Sequence, residues 1–239
     1  MSGHSKWKNI LHKKEKTDAQ RAKIFTKIGR EMAVAVKEGG PDPTSNSKLR
    51  DCIAKAKANN VPNDNIKRII DRASGGDGAN YETIVYEGYG PSGVAVIVET
   101  LTDNRNRTAS EMRHYFDKFG GNLGATGCVS WQFDDKGVIL LAKTDEDEDE
   151  VLLACLEAGA SDVETDGDAV EVYTEPEVMG DVRDALEAQG REILSAEKDK
   201  IPQNYITLSS EDDLKNMQKL LDMLEENDDV QNVWHNWEE

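Results

Sequence analysis

A chain of 239 residues exceeds one average domain and points to two or three. It is 37% hydrophobic, 32% charged and has a formal net charge of -18; no apolar run approaches the roughly 20 residues of a membrane helix, so a cytoplasmic protein without membrane contact is expected. Cys52, Cys128 and Cys155 are odd in number and far apart, which excludes a disulfide framework or zinc knuckle and predicts small buried thiols.

Residues 1–16 combine Lys6, Lys8, Lys13, Lys14 and Lys16 with Trp7, His4 and His12, and hold little to bury; they read as a flexible basic arm. Thr17 and Gln20 have capping-box spacing for a first helix, along which Ile24, Phe25, Ile28, Met32, Ala35 and Val36 form one stripe before Gly39-Gly40 stops it. A second helix over 45–59 buries Leu49, Ile53 and Ala56, and a third over 63–73 buries Ile66, Ile69 and Ile70. Three short one-striped helices can only bury those stripes against one another, so a small bundle is predicted.

Ser74-Gly75-Gly76-Asp77-Gly78 reads as a linker. Beyond it, strands are predicted at 82–87, 93–100, 128–134, 137–142, 162–166, 169–173, 191–198, 204–208 and 229–236. Helices are predicted at 108–119 (Thr108 with Glu111 as a capping box), 146–158, 176–189 and 210–226, the last with Leu214, Met217, Leu221 and Leu224 inward. Residues 136–201 thus read β-α-β-β-α-β, a ferredoxin-like unit, and the flanks supply the elements of a second α/β layer. The expected fold is α+β in three domains: an arm and helical bundle over 1–76, a discontinuous α/β domain over 79–135 plus 202–239, and an inserted domain over 136–201.

Charge divides along the same lines. Residues 1–72 hold 17 Lys+Arg against 8 Asp+Glu, a net of +9, whereas the remaining 12 and 39 leave -27 on the rest. A basic segment on an acidic carrier is the pattern of a surface that faces a polyanion at one end. The candidates are Lys6, Lys8, Lys13, Lys14, Lys16, Arg21, Lys23, Lys27 and Arg30, with Lys23, Lys27 and Arg30 along one polar helix face. Trp7 could stack on a base and His12 could touch a phosphate or base edge. The plainer reading is a solvated tail and an ordinary charged helix face; the one-signed local excess argues against it.

Gly3-His4-Ser5-Lys6-Trp7, His12-Lys13-Lys14, Asp18-Ala19, Arg21–Lys27 and Arg30-Glu31 resemble the opening signature of the YebC/PmpR family, whose organellar relatives include the translational activator of cytochrome oxidase. The likeness continues through Tyr86–Val94, Thr102–Thr108 and Ile201-Pro202 and covers essentially the whole chain, with small departures at Lys8, Leu11 and Glu15. It implies a helical first domain, two α/β domains, and regulation of gene expression: either DNA-binding transcriptional control or ribosome-associated translation support that relieves stalling at proline runs.

Thr102-Asp103-Asn104-Arg105-Asn106-Arg107-Thr108 is a second candidate: Arg105 and Arg107 could hold a phosphate at a helix N-terminus, or the segment could only shape a turn capped by Thr108. The glycine-rich Tyr86–Gly93 lacks a following Lys-Ser/Thr and a helix, so a hairpin is predicted rather than a phosphate loop. The acidic run 145–150 lacks calcium-loop spacing and reads as a solvated helix start. His114 and His235 have no nucleophile context and read as structural, and no catalytic or metal motif appears. A non-enzymatic, cofactor-free monomer is expected, binding DNA or ribosomal RNA through its arm and first helix. An acidic protein adaptor is the competing class.

Overall fold

In the computed structural model, which describes residues 18–76, 80–167 and 169–238, the first helix (α1, Asp18–Gly39) buries Ile28, Met32, Ala35 and Val36 along one side. The second (α2, Ser47–Ala58) and third (α3, Asn63–Ser74) bring Leu49, Ala56, Ile66 and Ala73 to the same core, with Ile24, Phe25, Ile53, Ile69 and Ile70 packed partly buried around it. Burying a side chain such as Met32 or Leu49 stabilises by about 1.5–3 kcal/mol, so this core outweighs the weak intrinsic propensity of such short helices. Gly29 lets α1 and α3 approach: a Cβ there would sit 3.3 Å from Cδ1 of Ile69. Buried Asn46 joins α1 to α2, its Oδ1 accepting from the Leu49 amide at 3.1 Å and its Nδ2 donating to the carbonyls of Ala35 (2.7 Å) and Gly40 (2.8 Å). The proposed Thr17 cap lies outside the described residues.

The chain then forms a hairpin of β1 (Glu82–Tyr89) and β2 (Ala95–Thr102), closed by a short 3-10 turn at Pro91–Gly93 as the glycine pattern predicted. Helix α4 (Arg105–Lys118) follows, then β3 (Asn122–Leu123), a two-residue strand that pairs with β1. Two expectations are corrected here. Asn104, not Thr108, caps α4, its Oδ1 accepting from the Arg107 amide at 3.1 Å, while Thr108 is fully buried inside the helix. Residues 128–132 do not extend as a strand; Ser130–Gln132 makes a 3-10 turn, and the strand runs unbroken as β4 (Phe133–Ala142).

Residues of β4, α5 (Glu148–Glu157), β5 (Asp162–Asp166), β6 (Ala169–Thr174), α6 (Met179–Ala188) and β7 (Ile193–Pro202) form an antiparallel sheet of order β5-β6-β4-β7. That is the β-α-β-β-α-β order of a ferredoxin-like unit. Its core holds Ile139, Leu141, Val151, Cys155, Val170, Val172, Val182 and Leu186. Asp147 caps α5, accepting from the Asp149 amide at 3.0 Å, and Glu148, Asp149 and Glu150 fill its first turn, where the helix dipole favours them.

β8 (Ile206–Thr207) pairs in parallel with β10 (Trp237–Glu238) as a separate two-stranded ribbon. Between them lie α7 (Glu211–Glu226), which buries Met217, Leu220, Leu221 and Leu224, and β9 (Val230–His235), which adds to β2 and completes the sheet order β3-β1-β2-β9. Leu214 is exposed rather than inward; Leu220 takes the buried place. Contacts divide the described chain into two compact units, 18–130 with 208–235 and 131–207 with 236–238. No described helix is long and apolar enough to cross a membrane.

Candidate nucleic-acid interface

The three cations that share a face of α1 point at the end of α7. Lys23 Nζ donates to the Glu226 carbonyl at 3.3 Å, and Lys27 Nζ to the Glu225 carbonyl at 3.1 Å. The last carbonyls of a helix lack intrahelical partners and carry its negative dipole end, so two lysines satisfy both needs together. Arg30, one turn further along, donates to the Asp228 carbonyl and to Asp229 Oδ1, both at 2.7 Å, and its guanidinium lies 5.3 Å from the ring centre of Tyr81.

Asp229 is the centre of this contact. It is 4% exposed, and its Oδ2 accepts from Arg107 (2.7 Å), Thr108 (2.8 Å) and Thr102 (3.0 Å). Burial pushes its carboxyl upward, but the hydrogen bonds from Arg107, Thr108, Arg30 and Thr102 together outweigh burial and hold it below the ordinary value. Arg107 also pairs with Asp103 at 3.0 Å, and its guanidinium is held above its ordinary value first by Asp229 and then by Asp103. Arg105 pairs with Glu82 at 2.9 Å on the surface.

The predicted residues therefore separate. Lys23, Lys27, Arg30 and Arg107 converge on the Glu225–Asp229 segment, which the sequence reading did not single out. Arg21 is exposed at the start of α1. Lys6, Trp7, Lys8, His12, Lys13, Lys14 and Lys16 lie outside the described residues. Elsewhere on the bundle, Lys48 pairs with Glu38 and Lys55 with Glu31. Lys67, Arg68 and Arg72 on α3 are exposed and make no ion pair with another described residue, although Asp64 and Asp71 lie on the same helix.

Arg68 also borders a groove between α1 and α3, with a cavity volume of about 270 Å³, lined by Phe25, Thr26, Val61, Asn65, Arg68 and Ile69. On β1, the buried Glu87 carboxylate accepts from the amides of Gly127 (2.8 Å), Val129 (2.9 Å) and Ser130 (2.9 Å). Burial pushes that carboxyl up and the amide bonds more than compensate, leaving it lowered. Among the described residues no cluster of His, Cys, Asp or Glu could hold a metal ion. His114 is exposed on α4.

Residues 5–76 match the family described as the TACO1/YebC protein N-terminal domain, and residues 81–237 match that described as the TACO1/YebC second and third domain. The chain belongs to the TACO1/YebC family. TACO1/YebC relatives from Acetivibrio thermocellus and Caldicellulosiruptor bescii are each 59% identical, over 99% and 100% of this chain and 99% of their own, and each is named a probable transcriptional regulatory protein. A crystal structure of a conserved hypothetical protein from Aquifex aeolicus is similar at 45% identity and a TM-score of 0.83, covering 93% of this chain and 92% of that one. The names carried by these TACO1/YebC relatives are regulatory rather than enzymatic.

Proposed function

We propose that this chain is a non-enzymatic, nucleic-acid-binding regulator of gene expression that holds phosphates through its basic N-terminal module. The supporting observation is the division of labour among cations: the α1 row is engaged by the Glu225–Asp229 segment, whereas Lys67, Arg68 and Arg72 on α3 face outward without carboxylate partners among the described residues. They belong, as the arm lysines do, to the segment with net charge +9, and the -27 remainder repels a polyanion everywhere else.

The relatives' names say nothing of a ligand, but a transcriptional role such as they print would support duplex DNA as the target. So does the succession of α2, a turn over 59–62 with Asn60 in the left-handed region (φ 58°), and α3, since a helix–turn–helix offers its second helix to a groove. A second reading, RNA, is favoured by the α1–α3 groove beside Arg68, an apolar recess that a paired base cannot enter. Crosslinking in cells followed by sequencing of the attached nucleic acid separates them. Discrete promoter fragments support the transcriptional reading; enrichment of ribosomal RNA supports the translational one; recovery of neither, with an arm and α3 intact, contradicts both.

A further inference from the structure

We infer that the groove between α1 and α3 is a seat for one unpaired base of an RNA strand, with the adjoining phosphate on Arg68. The inference rests on the nucleic-acid reading above and adds a site to it. Phe25, Val61 and Ile69 line the recess with an aromatic ring and two aliphatic side chains, and Asn65 and Thr26 line it too, the Thr26 hydroxyl donating to the Ala22 carbonyl at 3.0 Å. An exposed guanidinium stands at the rim, with Lys67 beside it and Arg72 one turn further along α3. Apolar and aromatic lining, an amide and a cationic rim match three features of a nucleotide: the base face, its hydrogen-bonding edge and the phosphate.

The groove is also where the fold leaves room. Gly29 and Ile69 close the α1–α3 contact, and the recess opens one turn before it, at Phe25 and Thr26. Phe25 lies on the opposite side of α1 from Lys23, Lys27 and Arg30, so a strand seated here does not compete with their bonds to the Glu225–Asp229 segment. Duplex DNA presents no free base face, so the occupant is a single strand, taken here as RNA with unpaired nucleotides.

The test compares two probes of similar charge on the full-length chain: a fluorescent ten-residue oligoadenylate and inorganic polyphosphate, each measured at one salt concentration. The intact chain should bind the oligoadenylate more tightly. Phe25→Leu should weaken oligoadenylate at least about five-fold and leave polyphosphate unchanged, because stacking is lost and charge is not. Arg68→Ala, at an exposed position where folding is not at risk, should weaken both. Thermal melting confirms that each variant is folded. Equal affinity for the two probes, or a Phe25→Leu effect of equal size on both, overturns the base seat while the nucleic-acid reading stands. Binding of neither probe by the intact chain overturns both.

Discussion

Arg30 Nη1 donates to Asp229 Oδ1 over 2.7 Å, a contact that joins residues 199 apart in the chain. It fastens the helical module to the sheet through a carboxylate that Arg107, Thr108 and Thr102 already hold. Removing the carboxylate takes one acceptor from Arg30, 18% exposed at its side chain, which keeps the Asp228 carbonyl, and takes the shared carboxylate from the buried hydroxyls of Thr102 and Thr108. Breaking one partner of such a buried pair costs about 3 kcal/mol, discounted here toward the low end because Arg107 is half exposed. Asp229→Ala should lower the urea midpoint accordingly, without a change in slope.

The same carboxylate gives the fold an acid-sensitive joint. Its folded value lies below the ordinary 3.8, so its contribution is complete above that value and is lost as pH falls through the lower, folded one. Glu87, held below its ordinary 4.5, acts in the same direction. Stability should be flat from neutral pH down to about pH 5 with respect to these groups and fall below about pH 4. Denaturation midpoints across that range should fall less steeply in Asp229→Asn than in the unaltered chain.

Glu87 makes a different prediction. Its two oxygens substitute for a bound anion in a loop that turns the amides of Gly127, Val129 and Ser130 toward them. Glu87→Gln places an amide nitrogen against those donors, and loses roughly 1–3 kcal/mol of local stabilisation. Hydrogen exchange at Gly127, Val129 and Ser130 should accelerate, while amides in α1 to α3 keep their rates.

What the sequence made legible follows from where its signals are local. The α1 stripe of Ile28, Met32, Ala35 and Val36, the hairpin at Pro91–Gly93 and the acidic start of α5 all rest on signals within a few residues, and all appear in the structure. The reading of Lys23, Lys27 and Arg30 as one polar face rests on the same helical spacing. Spacing reports that three cations share a face; it does not report that the end of α7 lies across that face. Asp229 and Glu87 carry no local signature at all, because their donors come from other elements. Thr108 looked like a cap since it precedes Glu111 by three, yet Asn104 is one turn earlier, and Thr108 is drawn inward to Asp229. Leu220 shares the face of Met217, Leu221 and Leu224 at helical spacing, whereas Leu214 stands in the first turn of α7 at the margin of that face.

Cys52 reports on the helical module from inside. Burial, with a further push from Glu31, raises its thiol to about 11, so little thiolate exists near neutral pH. Labelling of Cys52 by a disulfide reagent at about pH 8 should be far slower than that of a model thiol and should accelerate when the module opens. In Asp229→Ala its rate should rise if the joint at Arg30 steadies the bundle, and this can be followed by mass spectrometry of the labelled peptide.

The proposed function makes α3, rather than the Lys23–Arg30 row of α1, the helix that presents the bundle's phosphate contacts. The direct measurement is the salt dependence of binding to a short duplex DNA and to a single-stranded RNA, for the full chain, for Lys67→Ala/Arg68→Ala/Arg72→Ala, and for Lys23→Ala/Lys27→Ala. The α3 triple variant should flatten the slope of log affinity against log salt by about 0.9 per lost duplex phosphate contact, or about 0.7 on a single strand, and the α1 double variant should leave it unchanged. A slope that flattens with the α1 variant and holds with the α3 variant contradicts the account.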